Sequence, residues 1–461
     1  MTIFSDDFLW GCSTSAHQIE GAWDQDGKGP SIWDAFSLVP GKVHNNETAR
    51  QAADHYHHMD DDVELMATLG LKAYRFSISW PRLLPQGRGR INPQGIAFYS
   101  RLIDKLLEKN IEPWPTLFHW DLPLTLQFER DGLLNPSIVE AFTEYADVCF
   151  SNFGDRVKHW LTLNEPYVYS IFGHGFGVMA PGRISRSEPY LVAHHLLLAH
   201  AAIVQRYRER YQPRQLGQIS IALNCDWREP RTDHPEDQAA AERALEFYLG
   251  WFADPVFLGD YPESMKSRVA DRLPALSADE KRLLQGSADF MALNHYTTFY
   301  AGHAQNADRE DNPYDNGGFA SDQQVALSSD PEWGKTAMGW NVVPSGLRKL
   351  LLWIDKRYHQ PNIYVTENGC AYPDVPKNGS VHDPERIAFL KDYISECHNA
   401  LAQGVKLKGY FVWSLLDNFE WSLGFSKRFG LYYVDYETGA RIPKESAHWY
   451  RDVIRRNGLK E

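Results

Sequence analysis

The sequence predicts an α/β chain folded as a single (β/α)8 (TIM) barrel over residues 1–461, with elaborated loops at the C-terminal face of the strands. Three observations predict it. Eight short apolar or β-branched runs are spread along the chain. Segments of helical spacing separate them. Polar residues fall at the ends of the runs, in phase with them. Alternation of this kind points to parallel βαβ units, with a doubly wound open sheet as the rival architecture.

The runs are Phe8–Ser13, Ala73–Ser77, Trp114–Phe118, Trp160–Leu163, Ile219–Leu223, Phe290–Asn294, Ile363–Thr366 and Tyr410–Trp413. Several are apolar throughout, as strands buried on both faces must be. The helical segments show apolar residues three and four apart. Val63, Met66 and Leu69 precede Gly70, a helix stop. Ile96, Tyr99, Ile103 and Leu106 share one face, as do Ile138, Phe142 and Tyr145. Leu347, Leu350 and Ile354 obey the same rule, then Ile387, Leu390, Ile394, Cys397 and Leu401. The polar tract from Ala304 to Gln324 reads as a loop above the C-terminal face. No linker or repeat divides the chain.

Hydrophobic residues at 43% and charged residues at 23% suit a large buried core and exclude wholesale disorder. A net charge of −13 repels nucleic acid and anionic membrane at long range. Neither is expected as a partner, and monomer and homo-oligomer both stay open. The first residues carry acids where a signal peptide needs Lys or Arg, and no run is long and apolar enough to span a bilayer. Cys12, Cys149, Cys225, Cys370 and Cys397 are odd in number and lack a CxxC, so buried thiols in a reducing cytoplasm are expected. His55, His57 and His58, and also His194, His195 and His200, lie on or beside helical stretches. They are expected to be structural, with no metal and no cofactor. Aromatic content is 13%, with 15 Trp, many beside polar residues as in His119-Trp120-Asp121 and Phe419-Glu420-Trp421. A flat ring next to a hydrogen-bonding group matches a sugar, which has apolar C–H faces and a hydroxyl rim.

The chemistry is carried by the residues at the strand ends. Arg75 places a charge inside an apolar run. His119-Trp120-Asp121 comes directly after Phe118, Asn164-Glu165-Pro166 after Leu163, His295-Tyr296 after Asn294, and Glu367-Asn368-Gly369 after Thr366. In a barrel these ends converge on one face. Glu165 and Glu367 end the fourth and seventh runs, on opposite sides of the barrel mouth. Two carboxyl groups facing each other across a ligand are what glycosidic hydrolysis needs, one to protonate the leaving oxygen and one to attack or stabilise the anomeric carbon. Asn368-Gly369 also reads as a turn signal.

Seven segments in order resemble glycoside hydrolase family 1, the β-glucosidase family. They are Phe8–Gly21 (FLWGCSTSAHQIEG), Tyr74–Pro81 (YRFSISWP), His119–Pro123 (HWDLP), Thr162–Pro166 (TLNEP), Asn294–Tyr296 (NHY), Thr366–Gly369 (TENG) and Trp413–Trp421 (WSLLDNFEW). The resemblance implies a retaining β-glucosidase with Glu165 as acid/base and Glu367 as nucleophile. It implies that Arg75, Tyr296 and Asn294 support the nucleophile. Gln18, His119, Trp120, Asn164, Trp413, Glu420, Trp421 and Phe429 would bind the sugar, and Trp340 would form the leaving-group platform. The implied substrates are cellobiose, short cello-oligosaccharides and aryl β-glucosides, with β-galactosides and β-fucosides accepted through the Gln18/Glu420 pair. Two alternatives stand beside this reading. A 6-phospho-β-glucosidase would replace the Glu-Trp pair, but Glu420 is present. A catalytically dead sugar-binding barrel would lose a carboxyl group, but both are present. His295, Tyr167 and Val168 depart from the family pattern, and the resemblance puts them on the leaving-group side.

Overall fold

The computed structural model describes residues 2–304 and 318–460. Eight parallel strands close into a barrel in chain order. They are β1 (Leu9–Ser13), β2 (Ala73–Ser77), β3 (Glu112–Phe118), β4 (His159–Asn164), β5 (Gln218–Asn224), β6 (Met291–Asn294), β7 (Ile363–Asn368) and β8 (Leu407–Trp413). The longest helix of each unit is α1 (His55–Leu69), α2 (Pro93–Glu108), α3 (Ile138–Phe153), α4 (Glu188–Arg210), α5 (Pro235–Leu245), α6 (Ser345–Arg357), α7 (Pro384–Ala402) and α8 (Glu445–Arg456). The closed barrel, not the open sheet, is the architecture.

Six strands contain their expected run whole, β1 and β6 begin one residue after it, at Leu9 and Met291, and the other differences also lie at the ends. β3 and β8 start earlier than the apolar pattern, while β4 and β7 run on through Asn164 and Asn368. Polar residues at the barrel mouth thus belong to strands, although their composition reads as loop. α1 stops where Gly70 takes a left-handed φ of 74°, which a residue without Cβ adopts at no cost.

The barrel interior is filled by Trp114, Leu161, Phe290 and Phe411, packed against Ala73, Ala222 and Ala292. Large rings fill the space left where Ala73, Ala222 and Ala292 present only a methyl group. Truncating such a ring costs about 3–5 kcal/mol. Outward residues of the same strands, among them Tyr74, Phe76 and Ile219, join the layer beneath the helices.

Three strands outside the barrel were not legible in the sequence: Trp227–Pro230, Thr298–His303 and Val325–Ser328, with Thr298–His303 central. Most of the tract read as a loop, residues 305–317, lies outside the described residues. Its end corrects that reading: Phe319–Gln323 is a helical turn whose Phe319 is buried against Trp251 and Phe247.

All five cysteines are buried and unpaired. The histidine groups are tied into the scaffold. His55 shares a hydrogen bond with Asp62 at 2.8 Å, His195 contacts the Leu133 carbonyl at 2.7 Å, and His200 lies between Thr162 and Ser287. No described helix is long and apolar enough to cross a membrane.

Candidate active site

Strict alternation along β4 and β7 would aim the key residues the wrong way. In β4, Leu161 faces the barrel interior, while Thr162 faces the helices and shares a hydrogen bond with His200 at 2.7 Å. Asn164 has the same parity as Thr162. A register shift against β5 between Leu161 and Asn164 inserts one residue and turns Asn164 inward. β7 repeats the device. Val365 packs outward, and a shift against β6 between Val365 and Glu367 brings Glu367 in. Glu165 then leaves β4 with φ 47° and ψ 61° and caps the helix Pro166–His174. A left-handed conformation costs a residue with a side chain about 1–3 kcal/mol. It is held by the Glu165 amide on the Ala222 carbonyl, 2.9 Å away.

One hydrogen-bonded web joins the two carboxyl groups. The Arg75 guanidinium, fully buried, donates through Nη1 to Glu367 Oε1. Tyr296 Oη donates to Glu367 Oε2 at 2.6 Å. Arg75 Nη2 donates to Asn164 Oδ1 at 2.6 Å. Asn294 Nδ2 donates to that same oxygen at 3.0 Å and to Glu165 Oε1 at 2.7 Å. Thr366 Oγ1 donates to Asn294 Oδ1 at 2.8 Å, which fixes the amide's orientation. A single amide therefore reaches Glu165 and, through Asn164 and Arg75, ties it to Glu367. Asn164 Nδ2 lies 3.0 Å from His119 Nε2, which must accept. The His119 proton then sits on Nδ1, which has no partner among the described residues.

Electrostatics divide the pair. Burial raises the Glu165 carboxyl well above its ordinary range, and the charge of Glu367 raises it further. Burial also raises Glu367, but Arg75 and the Tyr296 hydroxyl oppose it. Glu367 consequently ionises first, and Glu165 keeps its proton. Burial pushes Glu420 up to about 8, Glu367 adds to this, and Gln18 opposes it. Burial and then Arg75 hold His119 well below its usual value, so its ring is neutral.

These groups open on one cavity of about 1120 Å³, part of it exposed to solvent. Gln18, His119, Trp120, Asn164, Glu165, Tyr296, Trp340, Glu367, Trp413, Glu420, Trp421 and Phe429 all line it. Arg75 and Asn294 bond to the carboxyl groups from within the barrel, outside that lining. Gln18 Nε2 donates to Asn418 Oδ1 at 2.9 Å and reaches Glu420 Oε2 at 3.5 Å. Trp120 Nε1 donates to the Asn164 carbonyl at 2.8 Å. Trp421 lies against His17 and Trp120, with ring centres 5.8 and 4.5 Å away. Trp340 packs near Tyr296 and Phe429, at 5.2 and 6.0 Å.

Some residues sit elsewhere than expected. Gly369 is not a hairpin turn. A Cβ there would sit 1.8 Å from the Trp413 carbonyl, so the glycine permits a close approach of two chain segments. His295 does not line the cavity; it is buried, with Nδ1 2.9 Å from the Cys225 carbonyl. Tyr167 does not line it either, and packs on Tyr248 at 4.0 Å. Of the three departures, only Val168 reaches the cavity. The wall beyond Glu165 also includes Phe172, Met179, Asn224, Asp226, Tyr248 and Phe299, none of them singled out by the sequence. Asn224 had a signal: it ends β5, in phase with the polar ends of the other strands.

A (β/α)8 barrel with two unlike, buried carboxyl groups at its mouth, ringed by indoles and amides, is of the class that acts on glycosidic bonds. The sequence model described as glycosyl hydrolase family 1 matches residues 1–459, and the chain belongs to that family. Beta-glucosidase 42 of Arabidopsis thaliana is 48% identical over 463 residues, 98% of this chain and 94% of its own length. The coniferin beta-glucosidase of Pinus contorta is 43% identical, covering 98% of this chain and 92% of its own. The β-glucosidase of Thermotoga maritima, solved in complex with glucoimidazole, superposes with a TM-score of 0.92 at 44% identity, covering 100% of each chain.

Proposed function

We propose that the protein is a retaining β-glucosidase that removes terminal, non-reducing β-D-glucosyl residues by double displacement, with Glu367 as nucleophile and Glu165 as acid/base. The observation that carries this is the asymmetric pair, one carboxylate held by Arg75 and Tyr296 and one carboxyl group kept protonated by burial and by its neighbour's charge. Full-length relatives named β-glucosidases support the activity.

In the first step Glu367 attacks the anomeric carbon. Glu165 gives its proton to the departing oxygen, and a glycosyl ester forms. Esterification removes the charge that had kept Glu165 protonated. Glu165 then takes a proton from water, which attacks the same carbon and releases Glu367. Asn164 lies between the two groups and bonds the sugar 2-hydroxyl. Trp413 forms the floor. Gln18, Glu420, Trp421 and His119, through its unpaired Nδ1 proton, bind the remaining hydroxyls. Trp340 flanks the leaving group. Cellobiose, short cello-oligosaccharides and aryl β-glucosides are the substrates, with β-galactosides and β-fucosides also turned over. The five free, buried thiols support a reducing, cytoplasmic setting.

The unphosphorylated sugar is favoured by the cations near Glu420. Lys427 Nζ is spent on the Ala337 carbonyl at 2.7 Å, and Arg428 on Asp417 at 2.6 Å. Neither is left to neutralise a phosphate beside a carboxyl group. A panel of p-nitrophenyl glycosides tests this. The β-glucoside is expected to have a kcat/KM at least about a hundredfold above its 6-phosphate, because a phosphate there would be desolvated with no cation to pair with it, a cost of roughly 3 kcal/mol. Equal or better turnover of the phosphate would refute the assignment.

A further inference from the structure

A second groove lies behind the leaving-group wall. The strand Thr298–His303 is the partition. Phe299 faces the catalytic cavity, while Thr298 and Tyr300, on the opposite side of the pleat, line a surface groove of about 810 Å³. The neighbouring strand Trp227–Pro230 is divided in the same way. Arg228 lies over the Tyr248 and Phe299 rings, and Glu229 lines the groove.

The groove joins aromatic surface to a charge-balanced rim. Trp333 stacks on Tyr300 with centroids 4.6 Å apart and planes at 22°, and both rings are half-buried. Glu229 pairs with Lys349 at 2.7 Å. Arg231 and Asp233 supply one further charge of each sign, and Arg231 Nη2 donates to the Ala326 carbonyl at 3.0 Å. With the charges cancelled, the rim offers hydrogen bonds without a field that selects an ion. The Thr298 hydroxyl, 1% exposed, has no partner among the described residues. Flat rings, neutral overall charge and many polar groups suit a ligand with apolar faces and a hydroxyl rim.

We propose that this groove is a non-catalytic binding site for a β-linked gluco-oligosaccharide chain, distinct from the cavity that holds Glu165 and Glu367. It would retain a chain on the outer face of the wall that contacts the leaving group on its inner face.

The test is native electrophoresis in gels containing laminarin or barley mixed-linkage β-glucan, run on the Glu367→Gly background so that the polymer is not cut. The parent should be retarded. Trp333→Ala should weaken the apparent affinity about tenfold, the loss of one ring contact. Tyr300→Ala, or Lys349→Ala at the rim, should weaken it in the same direction. In the otherwise wild-type enzyme, Trp333→Ala should leave kcat and KM for p-nitrophenyl β-glucoside unchanged. That control reports folding, and it reads the catalytic assignment separately from the groove. Equal retardation of parent and all three variants, or no retardation of the parent in either gel, would overturn the proposal.

Discussion

Glu367→Gly is expected to lose about four to six orders of magnitude in kcat on aryl β-glucosides, because the group that forms the covalent intermediate is removed. Added azide should restore cleavage and yield the α-glucosyl azide. The reasoning is geometric. The glycine vacates the face from which Glu367 attacks, and a small anion there meets the Arg75 guanidinium and the Tyr296 hydroxyl that held the carboxylate. Burial still raises the Glu165 carboxyl, and azide bound in the vacated space restores a negative charge beside it, so the leaving oxygen still receives its proton. The product is inverted because a single displacement now replaces two. Measurement is by chromogen release with and without azide, and by NMR of the azide adduct. Full activity without azide would remove Glu367 from its assigned role.

Glu165→Gln is expected to act selectively. Proton donation contributes about 10²–10⁴-fold, and only where the leaving group needs it. Cellobiose and phenyl glucoside should lose that factor in the first step. A 2,4-dinitrophenyl glucoside, whose leaving group departs as a stable anion, should lose little in kcat/KM. The pH profile carries the second signature. The active form has Glu165 protonated and Glu367 ionised, so kcat/KM falls as pH drops through the ionisation of Glu367 and again as pH rises through that of Glu165. Burial and the charge of Glu367 both move the alkaline limb upward from the ordinary carboxyl range. In Glu165→Gln that limb should vanish for the dinitrophenyl substrate, while the acid limb stays. An alkaline limb persisting unchanged would assign it to another group.

Much of this architecture was legible. The apolar runs located all eight barrel strands, because strands buried on both faces leave an unmistakable composition. Asn164, Glu165 and Glu367 were legible as chemistry from their place after those runs. Illegible was how they come to point inward. By simple alternation Asn164 and Glu367 face the helices, and one inserted residue in each strand reverses them. A register shift leaves no periodic trace in a run of six residues. Gly369 misled for a related reason: Asn-Gly signals a turn locally, but here the glycine answers to the Trp413 carbonyl, 44 positions away in sequence (413 − 369). The wall of Phe172, Met179, Tyr248 and Phe299 was hidden because these side chains converge from three different connections, where spacing carries no phase.

Proton NMR of the first sugar released from an aryl β-glucoside tests the pairing of Glu165 and Glu367 most directly. Two displacements at one carbon should deliver β-glucose first, with the α-anomer growing in only through mutarotation. α-Glucose as the first-formed product would mean that water, not Glu367, attacks the anomeric carbon.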